Sequence, residues 1–247
     1  MLAPYLLGVP TPARCTGFAR SRHRRAAGRI GTTAAEVLLL KLRAGIVDFH
    51  RNIRPSYRER FARLALGQSP DSLFIACSDS RVVPNLFAST EPGDLFVVRN
   101  VGNMVPPCGA DGRVATDHSE GAAIEFATNF LSVQDIVVCG HSECGAIRAI
   151  ATGFRPPASP NLADWLDAAS TVLNRPDLPT LDPELSPLNR LSQLSVLQQV
   201  ENLATYPSVR ERLAAGELRI HAWWFDLAEA EVLEFQPESG QFTVIGG

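Results

Sequence analysis

The sequence L-F-I-A-C-S-D-S-R at residues 73–81 passes from a short apolar run to a group of reactive side chains. Residues 73–77 have the apolar density of a buried strand. If the chain stays extended beyond this run, Cys77, Asp79 and Arg81 point to one side, because side chains alternate along a strand. A thiol, a carboxylate and a guanidinium then share one face at the carboxyl end of a strand, where open α/β sheets place ligand sites.

The sequence downstream alternates between apolar, strand-like segments and helical patterns. The further strand-like segments are 95–99, 135–139 and 218–224, and the helical ones are 119–131 and 143–151. This alternation predicts an α/β fold, a single domain whose mainly parallel sheet is covered by helices on both faces. Segments 230–235 and 241–245 flank a P-E-S-G turn, which predicts an antiparallel hairpin at the sheet edge.

Two helices are predicted ahead of the first strand. Thr33 and Glu36 have the spacing of a capping box before an apolar run, so the first helix should begin near Thr33. Pro55 should open a second helix, which Gly67 can end in a left-handed cap. The Pro-rich stretches 154–160 and 175–187 are expected to form surface loops between helices.

A second polar motif, H-S-E-C-G at residues 141–145, also follows a strand-like segment directly. An H-x-x-C spacing at a strand-to-helix turn lets both side chains reach one point. Together with Cys77, His141 and Cys144 supply three ligands of the kind that zinc prefers. Three protein ligands are typical of a catalytic zinc site, whereas structural sites are closed by four.

The remaining cysteines and most histidines have no partner at ligand spacing. Cys139 is interpreted as a small core residue of a buried strand. The others are interpreted as incidental, surface or packing residues: Cys15, Cys108, His50, His118 and His221.

Composition excludes several classes of protein. The 247 residues are 45% hydrophobic and 20% charged, which is typical of a globular chain. Residues 1–35 carry six arginines and no acid, leaving 17 basic against 26 acidic side chains in residues 36–247. We therefore expect no nucleic-acid partner. No apolar run approaches the roughly 20 residues that span a bilayer, so no membrane association is expected.

The arginine-rich residues 1–32 are interpreted as a basic, disordered leader, and residues 33–247 as the folded domain. The leader has the composition of an organellar transit peptide, but it equally fits an unstructured extension or upstream sequence read from an early start codon. We favour the latter two. Five scattered cysteines do not form a disulfide pattern, which favours a reducing compartment and a cytoplasmic location.

With these motifs, the sequence resembles the beta class of carbonic anhydrases. That family carries C-x-D-x-R and H-x-x-C as its zinc and catalytic signatures, and this chain has C-S-D-S-R and H-S-E-C. The resemblance covers about residues 34–247 and includes G-Q-S-P at 67–70, V-R-N-V-G-N at 98–103 and H-A-W-W at 221–224. It is weakest at 154–187.

The resemblance implies a zinc enzyme that hydrates carbon dioxide reversibly to bicarbonate and a proton. It implies one Zn2+ per subunit on Cys77, His141 and Cys144, with water activated by the metal and oriented by an Asp79–Arg81 dyad. The implied substrate-binding residues are Gln68, Phe96, Val101 and Gly102. It also implies a homodimer or higher homo-oligomer, in which the N-terminal helices pack on a partner subunit and Gln68 serves the neighbouring zinc.

Two alternatives remain open from the sequence. Hydrolases of carbonyl sulfide or carbon disulfide share the fold and the zinc ligands. A non-catalytic zinc-binding sensor or assembly protein is the other, although binding alone would not need the Asp79–Arg81 dyad.

The sequence departs from some family members at a separate inhibitory bicarbonate pocket. Those members use a tryptophan, an arginine and a tyrosine where this chain has Phe74, Arg99 and Phe225. Phenylalanine has neither an indole N–H nor a phenol O–H. We therefore expect an open resting site in which Asp79 is paired with Arg81, without cooperative inhibition by bicarbonate.

Overall fold

The computed structural model describes residues 34–115, 118–174 and 181–246, which fall into two compact units divided between Tyr57 and Arg58. The first unit is helical. Helix α1 is Ala34–Asp48, and a π-helical segment Phe49–Ile53 follows. Helix α2, Arg54–Leu64, begins in the first unit and ends in the second. The predicted leader and the capping residue Thr33 lie outside the described residues.

Helix α2 covers the predicted segment, but both predicted boundaries are wrong, because the backbone is helical without a break from Ala34 through Pro55. Pro55 follows the π-helical segment Phe49–Ile53 closely, and this segment interrupts the regular α-helical hydrogen-bond pattern just before it. Gly67 does not adopt the left-handed conformation. The helix ends instead in hydrogen bonds of 3-10 type, including Gly67 N to Leu64 O at 3.2 Å, and these need no residue with positive φ.

The second unit is built on a single sheet. Within the described residues, six strands lie in the order β2-β1-β3-β4-β5-β6. They are β1 Ser72–Cys77, β2 Leu95–Asn100, β3 Asp135–His141, β4 Arg219–Asp226, β5 Glu231–Gln236 and β6 Gln241–Val244. The first four are parallel, and β5 and β6 add an antiparallel edge. The predicted α/β fold with a mainly parallel sheet is confirmed.

Helices connect the strands and flank the sheet. They are α3 Pro84–Phe87, α4 His118–Glu125, α5 Gly145–Ala151, α6 Pro160–Ala169, α7 Pro187–Leu203 and α8 Pro207–Ala214. A π-helical turn, Phe126–Phe130, extends α4, and a 3-10 helix, Ser170–Asn174, follows α6. No helix in the described part of the chain has both the length and the apolarity needed to cross a membrane.

The core positions the carboxyl ends of β1 and β3 side by side. Their register pairs Ala76 with Cys139, and both strands are almost completely buried. Helix α7 approaches β3 so closely that a Cβ on Gly140 would lie 2.5 Å from Cγ2 of Val196. The last residues of β1 and β3 therefore lie at the same edge of the sheet, next to α7. Both polar motifs begin at this edge.

Candidate metal centre

The first motif leaves the sheet in a turn. Strand β1 ends at Cys77, and the N–H of Val82 donates to the carbonyl of Asp79 at 3.0 Å. The expectation that residues 77–81 stay extended was therefore wrong, because β2 gives no further ladder partner beyond Asn100. Asp79 and Arg81 nevertheless meet, since the N–H of Arg81 donates to Asp79 Oδ1 at 3.0 Å across the turn.

The second motif makes a sharp strand-to-helix turn. His141 is the last residue of β3, and Cys144 caps the first turn of α5. Between them Glu143 has a φ of 55°, which is uncommon outside glycine, and its N–H donates to Asn189 Oδ1 on α7 at 2.9 Å. The hydroxyl of Ser192 on α7 donates to the carbonyl of His141 at 2.8 Å. Helix α7 thus holds the turn that returns Cys144 towards His141.

The three predicted zinc ligands come together in one buried cluster. The ligand atoms of Cys77, His141 and Cys144 all lie within 4.8 Å of one another, and the side chains are at most 5% exposed. The Nδ1 atom of His141 lies 2.8 Å from the carbonyl oxygen of Ser142. Because a carbonyl can only accept, we assign the proton to Nδ1, which leaves the Nε2 lone pair free for a metal.

The donor set of this cluster fits zinc. Nε2 of His141 is buried and has no hydrogen-bond partner among the described residues. A buried nitrogen of this kind is costly unless it is paired or coordinated. Two sulfurs and one imidazole nitrogen around it are typical of zinc, and they leave a fourth position open.

The sulfur of Cys77 is set up as a thiolate. The backbone N–H groups of Asp79 and Gly102 each donate to it at 3.4 Å. Hydrogen bonding from the Cys144 thiol and from these two amides lowers the pKa of Cys77 against the opposing effect of burial. The pKa of Cys144 is correspondingly raised by its hydrogen bond to Cys77 and by burial.

Asp79 and Arg81 form a bidentate pair in front of the cluster. Nε of Arg81 donates to Oδ1 at 2.9 Å, and Nη2 donates to Oδ2 at 2.7 Å. These hydrogen bonds hold the pKa of Asp79 well below its usual range, so the carboxylate is ionised near neutrality. Oδ2 also lies 4.0 Å from Nε2 of His141, which aims the carboxylate at the open side of the metal ligands.

Arg99 has a positioning role that the sequence analysis did not identify. The strand register places Arg99 beside Ala76, one residue before the first ligand. Its Nε and Nη2 donate to the carbonyl of Cys77 at 3.0 and 2.9 Å, and Nη2 donates to the carbonyl of Asp79 at 2.7 Å. Arg99 therefore clamps the turn that carries Cys77 and Asp79. The signal for this role is the strand register, which the sequence does not specify.

The four predicted substrate-binding residues divide into two groups. Val101 and Gly102 adjoin the cluster, because the Gly102 N–H contacts Cys77. Gln68 is exposed between α2 and β1 and makes no hydrogen bond to the cluster within the described residues. Phe96 precedes Asn100 by four residues on β2, roughly 13 Å along a strand, and packs on Phe126. Within one chain, the structure does not bring Gln68 and Phe96 to the cluster.

The other cysteines and histidines lie elsewhere. Cys139 is fully buried in the core, where burial raises the pKa of its thiol, and Cys108 is half-buried. His221 lies between Asp135 and Glu234, at 2.9 and 2.8 Å. Cys15 falls outside the described residues.

Comparison with known proteins gives one consistent result. The profile of the family described as "Carbonic anhydrase" matches residues 72–232, which include both motifs. The carbonic anhydrase of Pseudomonas aeruginosa is 40% identical over 200 residues, covering 81% of this chain and 88% of the relative. Carbonic anhydrase 1 of Escherichia coli O157:H7 is 41% identical over 206 residues, covering 81% and 89%.

Solved structures agree with the sequence matches. The beta-carbonic anhydrase CcaA superposes with a TM-score of 0.74 at 37% identity, covering 84% of this chain and 99% of that one. A structure from a study of two tetrameric beta-carbonic anhydrases of Sordaria macrospora gives a TM-score of 0.61 at 31% identity, covering 86% and 96%.

Proposed function

This chain belongs to the beta class of the carbonic anhydrase family, and from this premise we propose that it hydrates carbon dioxide reversibly to bicarbonate and a proton. Cys77, His141 and Cys144 would hold one Zn2+ per subunit. The observation that carries the proposal is the buried ligand cluster, whose unpartnered His141 Nε2 faces the carboxylate of Asp79.

The three ligands determine the electrostatics of the centre. When bound, zinc would supply a Lewis acid that lowers the pKa of a water molecule at the open position. Cys77 and Cys144 as thiolates, with neutral His141, cancel the formal charge of the ion. We infer that this centre activates water less strongly than a centre with three neutral histidines.

Asp79 is the group that orients the reacting water. An ionised carboxylate accepts hydrogen bonds but cannot donate them, so Asp79 binds the O–H of the nucleophile and turns a lone pair towards carbon dioxide. Arg81 keeps Asp79 ionised and fixes the plane of the Asp79 carboxylate through two hydrogen bonds. An exposed ion pair contributes little to stability. Because the Asp79–Arg81 pair lies beside the proposed metal ligands, we assign it a role in catalysis.

The apolar substrate needs an apolar wall. The side chain of Val101 is 42% exposed next to Gly102, whose N–H contacts the Cys77 sulfur, and an apolar side chain in this position suits carbon dioxide. We propose that Phe96 of a second copy of the chain completes this wall, and that Gln68 of that copy hydrogen-bonds the substrate, since neither residue reaches the cluster of its own chain.

Helix α1 supports a homo-oligomer. Four of its apolar side chains are between 54% and 61% exposed in the single chain: Leu39, Leu40, Leu42 and Ile46. Apolar patches of this kind mark interfaces.

We also propose a cytoplasmic location, because two thiolate ligands require reduced cysteines.

The decisive experiment is stopped-flow hydration of carbon dioxide with zinc determined on the same sample. We expect about one zinc per chain and rapid hydration. Zinc-loaded protein without hydration would contradict the proposal. Turnover of carbonyl sulfide or carbon disulfide would then identify the hydrolase alternative. A protein that turns over none of the three substrates would be the non-catalytic zinc-binding alternative. Analytical ultracentrifugation tests the homo-oligomer, which a monomer at micromolar concentration would contradict.

A further inference from the structure

The peptide unit between Val101 and Gly102 is held at both ends. Its carbonyl accepts a hydrogen bond from the indole Nε1–H of Trp165 at 2.7 Å. Its N–H donates to the sulfur of Cys77 at 3.4 Å. Because a trans peptide is planar, its C=O and N–H point in opposite directions. Whatever binds the carbonyl therefore also orients the N–H towards the metal ligand.

The turn that contains this peptide is compatible with two orientations of it. Residues 100–103 form a turn in which Gly102 has a φ of 88°, close to the value required at the third position of a type II turn. A type I turn differs from type II chiefly by a flip of the central peptide, which would point the N–H away from Cys77. Glycine alone tolerates both conformations readily, so a further contact must select one of them.

Space around Gly102 also requires glycine. A Cβ at this position would lie 2.7 Å from Cε of Met104 and 2.9 Å from the Cβ of Ala146. The backbone at Gly102 thus lies too close to Met104 and Ala146 for a residue with a side chain. The absence of a side chain at Gly102 permits this close packing, and it also removes the steric barrier to a flip of the 101–102 peptide.

Trp165 lies where its indole N–H can select one orientation of the 101–102 peptide. It lies on α6 and packs against the apolar cluster that contains Cys77, Met104 and Cys144. The next residue, Leu166, is 1% exposed in the same cluster and anchors the helix. The indole N–H therefore approaches Val101 from a fixed helix.

We propose that Trp165 is a positioning residue of the metal centre, which locks the 101–102 peptide so that the Gly102 N–H stays on the Cys77 sulfur. Accepting a hydrogen bond at the carbonyl also polarises the N–H and makes it a better donor to the thiolate. The inference rests on the proposed zinc site, and it extends that site to α6, a helix in the region where the sequence resembles the family least.

Two substitutions remove the N–H: Trp165→Phe, which keeps a smaller aromatic ring, and replacement by 3-benzothienylalanine, which keeps the bicyclic shape with sulfur in place of the N–H. The matched control is Leu162→Ala, which loosens the packing of α6 on the same cluster but leaves the indole donor. In the metal-free protein, fragment-resolved hydrogen exchange should show faster exchange of the Gly102 amide in both Trp165 variants only.

The zinc-loaded and cobalt-substituted proteins provide two further measurements. Zinc transfer to a chromogenic chelator should be about three to ten times faster without the N–H, near the low end for groups that support a metal ligand indirectly. The thiolate-to-cobalt charge-transfer band should move to longer wavelength, because the sulfur loses a hydrogen bond and becomes more electron-rich.

The outcomes separate this inference from the proposed function. A wild-type protein that holds no zinc contradicts the zinc site, while exchange at Gly102 in the metal-free protein still tests Trp165. Unchanged exchange and an unchanged band in both Trp165 variants overturn the inference. An equal change in Leu162→Ala also overturns it, because packing alone would then explain the effect.

Discussion

Oδ2 of Asp79 lies 4.0 Å from Nε2 of His141 while the same carboxylate is bound to Arg81 by two hydrogen bonds. The carboxylate thus adjoins the ligand cluster without leaving its arginine. The sequence analysis expects this pairing of Asp79 with Arg81 in an open resting site, and that state of the centre stays a prediction.

Asp79→Ala should retain zinc and lose most of its turnover. The three ligands remain, but no acceptor orients the reacting water, and such a group typically contributes about 100-fold or more to the rate. The measurements are kcat by stopped flow and zinc content. Asp94→Ala is the control, because it removes an aspartate that pairs with Arg60 at 2.8 Å outside the cluster. Wild-type turnover in Asp79→Ala would reduce the dyad to an ordinary ion pair.

Cys77→Ala and Cys144→Ala should each lose zinc and activity together, since two remaining ligands hold the metal poorly. Elemental analysis after dialysis against a weak chelator measures the loss. Cys139→Ala removes a cysteine that is equally buried but outside the cluster, and it should keep its zinc. Full metal occupancy in either ligand variant is incompatible with the assignment.

Hydration activity should rise from about pH 6 to about pH 9. Two thiolates neutralise the ion, so the water at the open position should ionise at higher pH than at a three-histidine centre, for which the value is about 7. The pKa of Asp79 lies far below this range, so the carboxylate stays ionised throughout and causes no decline. The measurement is kcat/KM against pH at constant ionic strength, and a flat profile would contradict the charge argument.

Bicarbonate should not switch the enzyme off cooperatively. The ring of Phe225 stacks on Phe87 at a centroid distance of 4.7 Å, and Phe74 offers no polar group. A buried bicarbonate would lose hydrogen bonds worth roughly 1.5–3 kcal/mol each, and losing two weakens binding by roughly two orders of magnitude or more.

The test of this prediction is activity over a wide range of bicarbonate concentration at fixed pH and ionic strength. Simple product inhibition is expected. A sigmoidal loss of activity, or a crystal grown near neutral pH in which Asp79 has left Arg81 to bind zinc, would refute it.

Arg219→Gln should lower stability near neutral pH, and the difference from wild type should shrink in acid. Two hydrogen bonds from Arg219, at 2.7 Å each, are the main cause of the lowered pKa of Asp135, and burial opposes them. A lowered carboxyl pKa stabilises the fold above its unfolded value of about 3.9, and this stability is lost as the pH falls through the folded value.

Urea unfolding at neutral pH and below about pH 4 measures this effect. Arg210→Gln, an exposed arginine of α8, controls for the change in net charge. An equal loss of stability at both pH values would show that the Asp135 pair contributes nothing specific.

Local patterns in the sequence determined the strands and the principal ligands. Strand β1 was recognisable because residues 73–77 are continuously apolar, and polar motifs directly after buried strands indicated ligands at a sheet edge. The types of residue in C-S-D-S-R and H-S-E-C indicated zinc because soft thiolates and imidazole suit that ion. These inferences needed no knowledge of which strands are neighbours.

Only the tertiary structure decided how the ligands are supported. Arg99 reaches Cys77 across a strand register, and Trp165 reaches Val101 across 64 residues of sequence. The same holds for Phe96, which matched the family motif yet lies far along β2 from the cluster of its own chain. Such contacts depend on sheet register and helix packing, which arise from the summed burial of many side chains rather than from the residues that finally meet.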